Sequence, residues 1–237
     1  MIRNISYTVF FRVLTMLCSA AVVILTTNLL FDEGRGEISL FLTDVMLVLM
    51  ISDYIGGSGL VYFTPRKSFG SLLFPSYLWA VLVCLLLPSL LVLAGQVPDG
   101  LEIHLYLLSL LNCLGSVHIL MLLGQEKIFA NSSLTFLKSL LTLVAAAIVL
   151  VVWDQTTVSS FIEALYPVYG SIAVLSFLAL PLGSFRMKEI GLLKSIRDLW
   201  QIGKYGQSAN VLQFLNYRFS FYAIEWFLLA MFHHQAF

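Results

Sequence analysis

Apolar runs long enough to cross a bilayer follow one another almost without pause along this sequence, and they leave it few architectures to choose from. Six read clearly, at residues 8–31, 40–63, 71–94, 103–123, 132–153 and 158–180, and a seventh runs from about 208 to 232. Each meets the ~20 residues needed to span about 30 Å of hydrocarbon. Hydrocarbon offers the backbone no hydrogen-bond partner, so such runs must close their own bonds as helices. The expected fold is an all-α membrane protein, a polytopic helical bundle. Composition excludes the alternative: 59% of residues are hydrophobic and 11% charged, against about a quarter charged in soluble domains. Cys18, Cys84 and Cys113 all lie in apolar runs; their odd number and spacing fit neither a disulfide framework nor a metal site. The first run lacks a small-residue cleavage site and reads as a retained helix.

Charge sets the orientation. The segment Asp32-Glu33-Gly34-Arg35-Gly36-Glu37 reads as an acidic first loop, and the later odd connections hold Asp99 and Glu102, then Asp154 and Glu163, without a base. The even connections carry Arg66 and Lys67, then Lys127 with Lys138 close behind, then Arg186, Lys188, Lys194, Arg197 and Lys204. With Arg3 and Arg12 at the first helix, the positive-inside rule places the N-terminus in the cytoplasm and odd loops outside.

Short connections make successive helices antiparallel neighbours. Three parts are expected: a six-helix lobe over 1–181, a basic amphipathic linker over 182–204, and a seventh helix over 205–237 that begins a second lobe. In the linker Ile190, Leu193, Ile196, Leu199 and Trp200 recur at helical spacing, which fits a helix on the cytoplasmic membrane surface or a solvated connector.

Ionisable groups at membrane depth are costly and mark functional candidates. Asp53 lies mid-span just before Gly56-Gly57-Ser58-Gly59, where small residues permit close helix approach or local unwinding. It reads either as part of a wet cavity or as a buried carboxyl satisfied by neighbours. Asp44, half a rotation away, reads as interfacial. Arg12 is one turn from the cytoplasmic end and can snorkel. Arg218 sits near the middle of the seventh run, with Glu225 on nearly the same face and Tyr217, Phe221, Tyr222 and Trp226 close by. A guanidinium in an aromatic-lined cavity suits a diphosphate, because its fork takes two oxygens at once. His118 reads as a hydrogen-bonded core residue rather than a proton relay.

Three passages resemble the polysaccharide and O-antigen exporters of the multidrug/oligosaccharidyl-lipid/polysaccharide exporter superfamily. They are Phe31-Asp32-Glu33-Gly34-Arg35-Gly36-Glu37-Ile38-Ser39-Leu40, similar to a Gly-rich first loop; Gly124-Gln125-Glu126-Lys127-Ile128, similar to a short cytoplasmic turn; and Leu215-Asn216-Tyr217-Arg218 with its aromatic flank. The resemblance implies a flippase of two six-helix lobes in the bacterial inner membrane. It would export lipid-linked glycans of the undecaprenyl-diphosphate type by alternating access. Arg218, Arg12, Tyr222 and Glu225 would face the substrate and Asp53 would couple an ion. The family commonly has an acid two residues after the Arg, where this chain has Ser220. The family's further helices imply that most of a second lobe is missing here. No cofactor, metal, catalytic residue or nucleic-acid partner is expected. Two alternatives stand beside this reading: a multidrug antiporter of the same superfamily using Asp53, and a membrane enzyme acting on lipid phosphates. The enzyme would need carboxylates or histidines gathered at one depth, and in the sequence they are scattered.

Overall fold

The computed structural model describes residues 2–181 and 191–234, with side chains described except at 2–5, 31–33, 214–215 and 217–234. The described residues are helical and contain no strand. In chain order the helices are α1 (Ile2–Leu29), α2 (Phe31–Gly56), α3 (Ser58–Phe63), α4 (Phe69–Leu93), α5 (Glu102–Gly124), α6 (Ile128–Ala147, prolonged by a π turn over Ile148–Val152), α7 (Val158–Leu178) and α8 (Leu192–His234). Six stretches among the described residues are long and apolar enough to cross a membrane, with α2 and α3 acting as one. The protein is an all-α polytopic membrane protein.

Burial sorts these helices. The most apolar part of α5 is 56% buried and that of α1 0%, so α5 is the axis of the bundle and α1 an outer helix. α1 lies along α6 and touches α2 sparingly; Tyr7 and Phe11 pack edge-on against Phe129, and Phe11 also meets Phe136. One core cluster gathers Phe41, Leu105, Leu108, Phe161 and Leu165, and another Ile55, Leu60, Leu72, Met121 and Leu199. Leu85, Leu86, Leu90 and Leu93 on α4 remain exposed, as a lipid-facing stripe should.

The acidic segment 32–37 is not a loop. Only Leu30 separates α1 from α2, and Phe31–Glu37 forms the first turns of α2. The physical reason is Arg35. Its Nη1 donates to the carbonyl of Val23 at 2.6 Å and to the hydroxyl oxygens of Thr26 and Thr27 at 2.6 and 2.8 Å. Those hydroxyls donate in turn to carbonyls of their own helix, which leaves their lone pairs for the guanidinium. A cation that reads as loop charge is therefore a staple between two helices.

The turn expected after α5 is present and short, Gln125 to Lys127. It closes with Glu126 N–H on Leu123 and Lys127 N–H on Leu122, and Glu126 adopts φ 60°. Asp44 is 2% exposed, so it is packed inside the bundle, and α2 continues past it through the charged turns at Phe31–Glu37.

Gly57 (φ −99°, ψ −125°) breaks α2 from α3, where the run of small residues allows unwinding. A side chain there would strike the Asp53 carbonyl, its Cβ falling 2.3 Å from the oxygen.

The basic segment after α7 also differs from expectation. Residues 182–190 lie outside the described residues, but Leu192–His234 is one continuous helix, without a break between linker and seventh run. Its first half packs on α2, α3 and α4 rather than resting its apolar face on lipid. Leu199 is fully buried, Trp200 stacks on Tyr54 at 5.2 Å and meets Trp79 edge-on, and Gln207 Nε2 donates to the Met50 carbonyl at 3.2 Å. Two glycines make the approach possible: a Cβ on Gly203 would fall 1.9 Å from the Tyr54 carbonyl oxygen, and one on Gly59 2.7 Å from that of Leu199. Lys67 Nζ and Asp198 Oδ2 close the end of this contact at 2.6 Å.

Candidate functional site: a polar cleft at membrane depth

Asp53 reaches the interior from the last turn of α2 before the Gly57 break. There it faces the Ser116 hydroxyl of α5 and, farther off, the Lys138 ammonium of α6. Lys138 is no loop cation. Its position ten residues after Ile128 puts it about 15 Å along α6, half of a ~30 Å hydrocarbon layer. Its Nζ donates to Asn112 Oδ1 at 2.5 Å and stands 4.6 Å from the centre of the Tyr169 ring. Among the described residues no carboxylate forms an ion pair with it. With Lys138 in the membrane rather than in an even connection, the charge bias between loops stays intact.

Ser116, Asn112 and Lys138 line a cleft of about 320 Å³ between α5, α6 and α7, with Leu49 of α2 at its side. Along α6 the polar wall is Asn131, Thr135 and Lys138, at i, i+4 and i+7, one face of the helix. Along α5 it is Asn112 and Ser116, one turn apart. The lining begins beside the α5–α6 turn, at Leu123 and Asn131, and ends at mid-span, at Asn112 and Lys138. Apolar walls with a few convergent polar groups are the usual composition of a small-molecule site.

Behind the cleft, Ser52 bonds the thiol of Cys113, which is 3.7 Å from the sulfur of Cys84; both cysteines are free. His118 is buried and has a partner on each ring nitrogen: Nε2 meets the Tyr77 hydroxyl, and Nδ1 the Ser176 hydroxyl at 3.0 Å. It ties α4, α5 and α7 together as a core histidine.

Of the substrate and ion-coupling residues expected from the sequence, only Asp53 belongs to this cluster. Arg12 is exposed on α1 and does not line the cleft. Arg218, Tyr222 and Glu225, with Tyr217, Phe221 and Trp226, lie on the backbone of α8, but their side chains are outside the described residues. Lys138 is hard to find from sequence, because a cation near the end of an apolar run reads equally well as part of the adjacent loop, whereas Asn112 and Ser116 already read as mid-span polar neighbours of His118. A signal is nonetheless present: Asn131, Thr135 and Lys138 fall on one face of α6, a polar line that Thr142 continues at the same helical spacing. Among the described residues no three histidine, cysteine or acidic side chains gather as a metal site. The chain matches no protein-family model, no curated protein and no solved structure.

Proposed function

We propose that this protein exports lipid-linked oligosaccharides across the bacterial inner membrane by alternating access, with its N-terminus in the cytoplasm. The observation that carries the transport reading is the polar cluster of Asp53, Ser116, Asn112 and Lys138 at mid-membrane beside a cleft. Ionisable groups kept at that depth are expensive and commonly line pathways for substrates or ions. The cargo is drawn from the resemblance of three passages to polysaccharide exporters. On this reading Arg218 takes the diphosphate and Asp53 is the ion-coupling carboxylate. The presence of Lys138 in the same cluster favours an anionic cargo over the cationic drugs of a multidrug antiporter.

The test is surface display of glycan in cells deprived of their own exporter, with membrane expression of every variant checked. The natural chain should restore display, Arg218→Ala should abolish it, and Arg218→Lys should keep part of it, since either cation attracts phosphate but only one has the planar fork. Normal display with Arg218→Ala would remove that residue from the site. Drug resistance conferred without glycan display would favour the antiporter instead.

A further inference from the structure

Lys138 has more hydrogen-bonding capacity than its surroundings use. An ammonium carries three N–H donors and no acceptor. One is taken by Asn112 Oδ1 at 2.5 Å, and the Tyr169 ring lies against one side of the head. Asp53 shares the cluster, yet it forms no ion pair with Lys138 within 4 Å. Its charge offsets that of the ammonium at a distance without occupying the remaining donors. Those donors belong to a side chain that lines the cleft. A cation would be repelled there, and a neutral ligand would leave a charged donor poorly matched. An oxyanion supplies both the charge and the lone pairs, in the strongest class of hydrogen bond.

We propose that the cleft between α5, α6 and α7 binds an oxyanion, a carboxylate or phosphate group, on Lys138, with Asn131 and Thr135 marking its entry from the α5–α6 turn. About 320 Å³ lies at the small end of the ~300–1,000 Å³ of ligand pockets, room for an anionic group and a short polar attachment rather than a whole glycan. The source is either a small soluble anion or an acidic lipid headgroup. This inference goes beyond the export reading and does not depend on it, because binding is measured without transport.

The experiment uses the full chain in nanodiscs with Cys18, Cys84 and Cys113 replaced by alanine and Thr135→Cys as the reporter, a position that is exposed and lines the cleft. The rate of maleimide labelling is followed in phosphatidylcholine discs with inorganic phosphate, with glucuronate, or with chloride at matched ionic strength. It is also followed in discs containing phosphatidylglycerol without added anion. Slowing by phosphate or glucuronate identifies a soluble anion, and slowing by phosphatidylglycerol alone a headgroup. The protection should weaken about tenfold or more in Lys138→Gln and stay within about threefold in Lys138→Arg, since the charge-assisted bond is lost in one and kept in the other. Lys138→Gln combined with Asp53→Asn, which removes both charges together, should lose protection in the same way and covers the case in which the single variant does not fold. Slowing by chloride equal to that by phosphate, undiminished protection in the glutamine variants, or a reporter that no anion protects would each overturn the proposal.

Discussion

Replacing Gly203 by alanine adds one methyl group at the glycine that, among those described, leaves least room for it, where nothing nearby can yield to it. The new Cβ would fall 1.9 Å from the Tyr54 carbonyl oxygen, whereas carbon and oxygen settle at about 3.3 Å even in a favourable C–H···O contact. The obstacle is backbone on a packed helix, so it cannot rotate aside as a side chain would. α8 must therefore retreat by about 1.4 Å, the difference between these two separations. That retreat stretches the Gln207–Met50 bond, now 3.2 Å, beyond bonding range, and unpacks Leu199 and the Trp200–Tyr54 stack. Overpacking of this kind costs about 1–3 kcal/mol, and the lost hydrogen bond about 1 kcal/mol. Alanine returns up to about 1 kcal/mol through helix propensity, leaving a net loss of about 2 kcal/mol. At about 2–4 °C per kcal/mol for a chain of this length, the melting midpoint should fall by roughly 4–8 °C. Gly170 on α7 is the internal control, because a Cβ there meets nothing within 4 Å; Gly170→Ala should raise the midpoint slightly. The assay is thermal aggregation of each purified variant in detergent, followed by fluorescence-detected size exclusion. Equal stability of the two variants would refute the docking of α8 on α2.

Three further outcomes are expected. Lys138→Met alone should destabilise the protein by about 1–3 kcal/mol, since it leaves the buried Asn112 Oδ1 without its donor, and adding Asn112→Leu, which removes the orphaned acceptor, should recover part of the loss; chemical denaturation in mixed micelles measures both. Arg35→Ala should loosen the α1–α2 hairpin and expose it to proteolysis, while Arg35→Lys, which keeps the charge and its N–H donors on a shorter side chain, should recover part of the protection. Exchanging the members of the Lys67–Asp198 pair should restore thermal stability lost in either single reversal, with a coupling below about 1 kcal/mol for a pair near the surface; additive losses would show that the pair is not formed.

The six spans are legible in the sequence because transfer into hydrocarbon is nearly additive along a helix, so a window of side chains carries the answer without its neighbours. Features that depend on a partner far along the chain are not legible in this way. Arg35 beside two glycines and three acids has the composition of a loop, and only the threonines of α1 make it helical. The apolar face of 192–207 fits a lipid surface as well as it fits α2. The choice is made by Gly59 and Gly203, which are silent until the two helices are placed together. Asp53 stands out because a carboxylate at mid-span has no route to water, whereas the long stem of Lys138 gives it the alternative of snorkelling, and that alternative conceals its contact with Asn112.

The position of α1 has a consequence for how this protein is made. α1 leaves the ribosome well before the helix it packs along, α6, which begins about a hundred residues later. At synthesis rates of about 5–20 residues per second, α1 must wait roughly 5–20 s for that partner. During this interval it is held by its own hydrophobicity and by whatever the early α2 can offer, and Arg35 reaches Val23, Thr26 and Thr27 as soon as those first turns form. A helix that tolerates lipid on nearly every side, clipped at one end to the next segment, can be released into the bilayer early and recruited late. Interference with the clip should therefore be felt first as poor membrane integration and rapid turnover of the nascent chain, before any defect in the mature protein is seen.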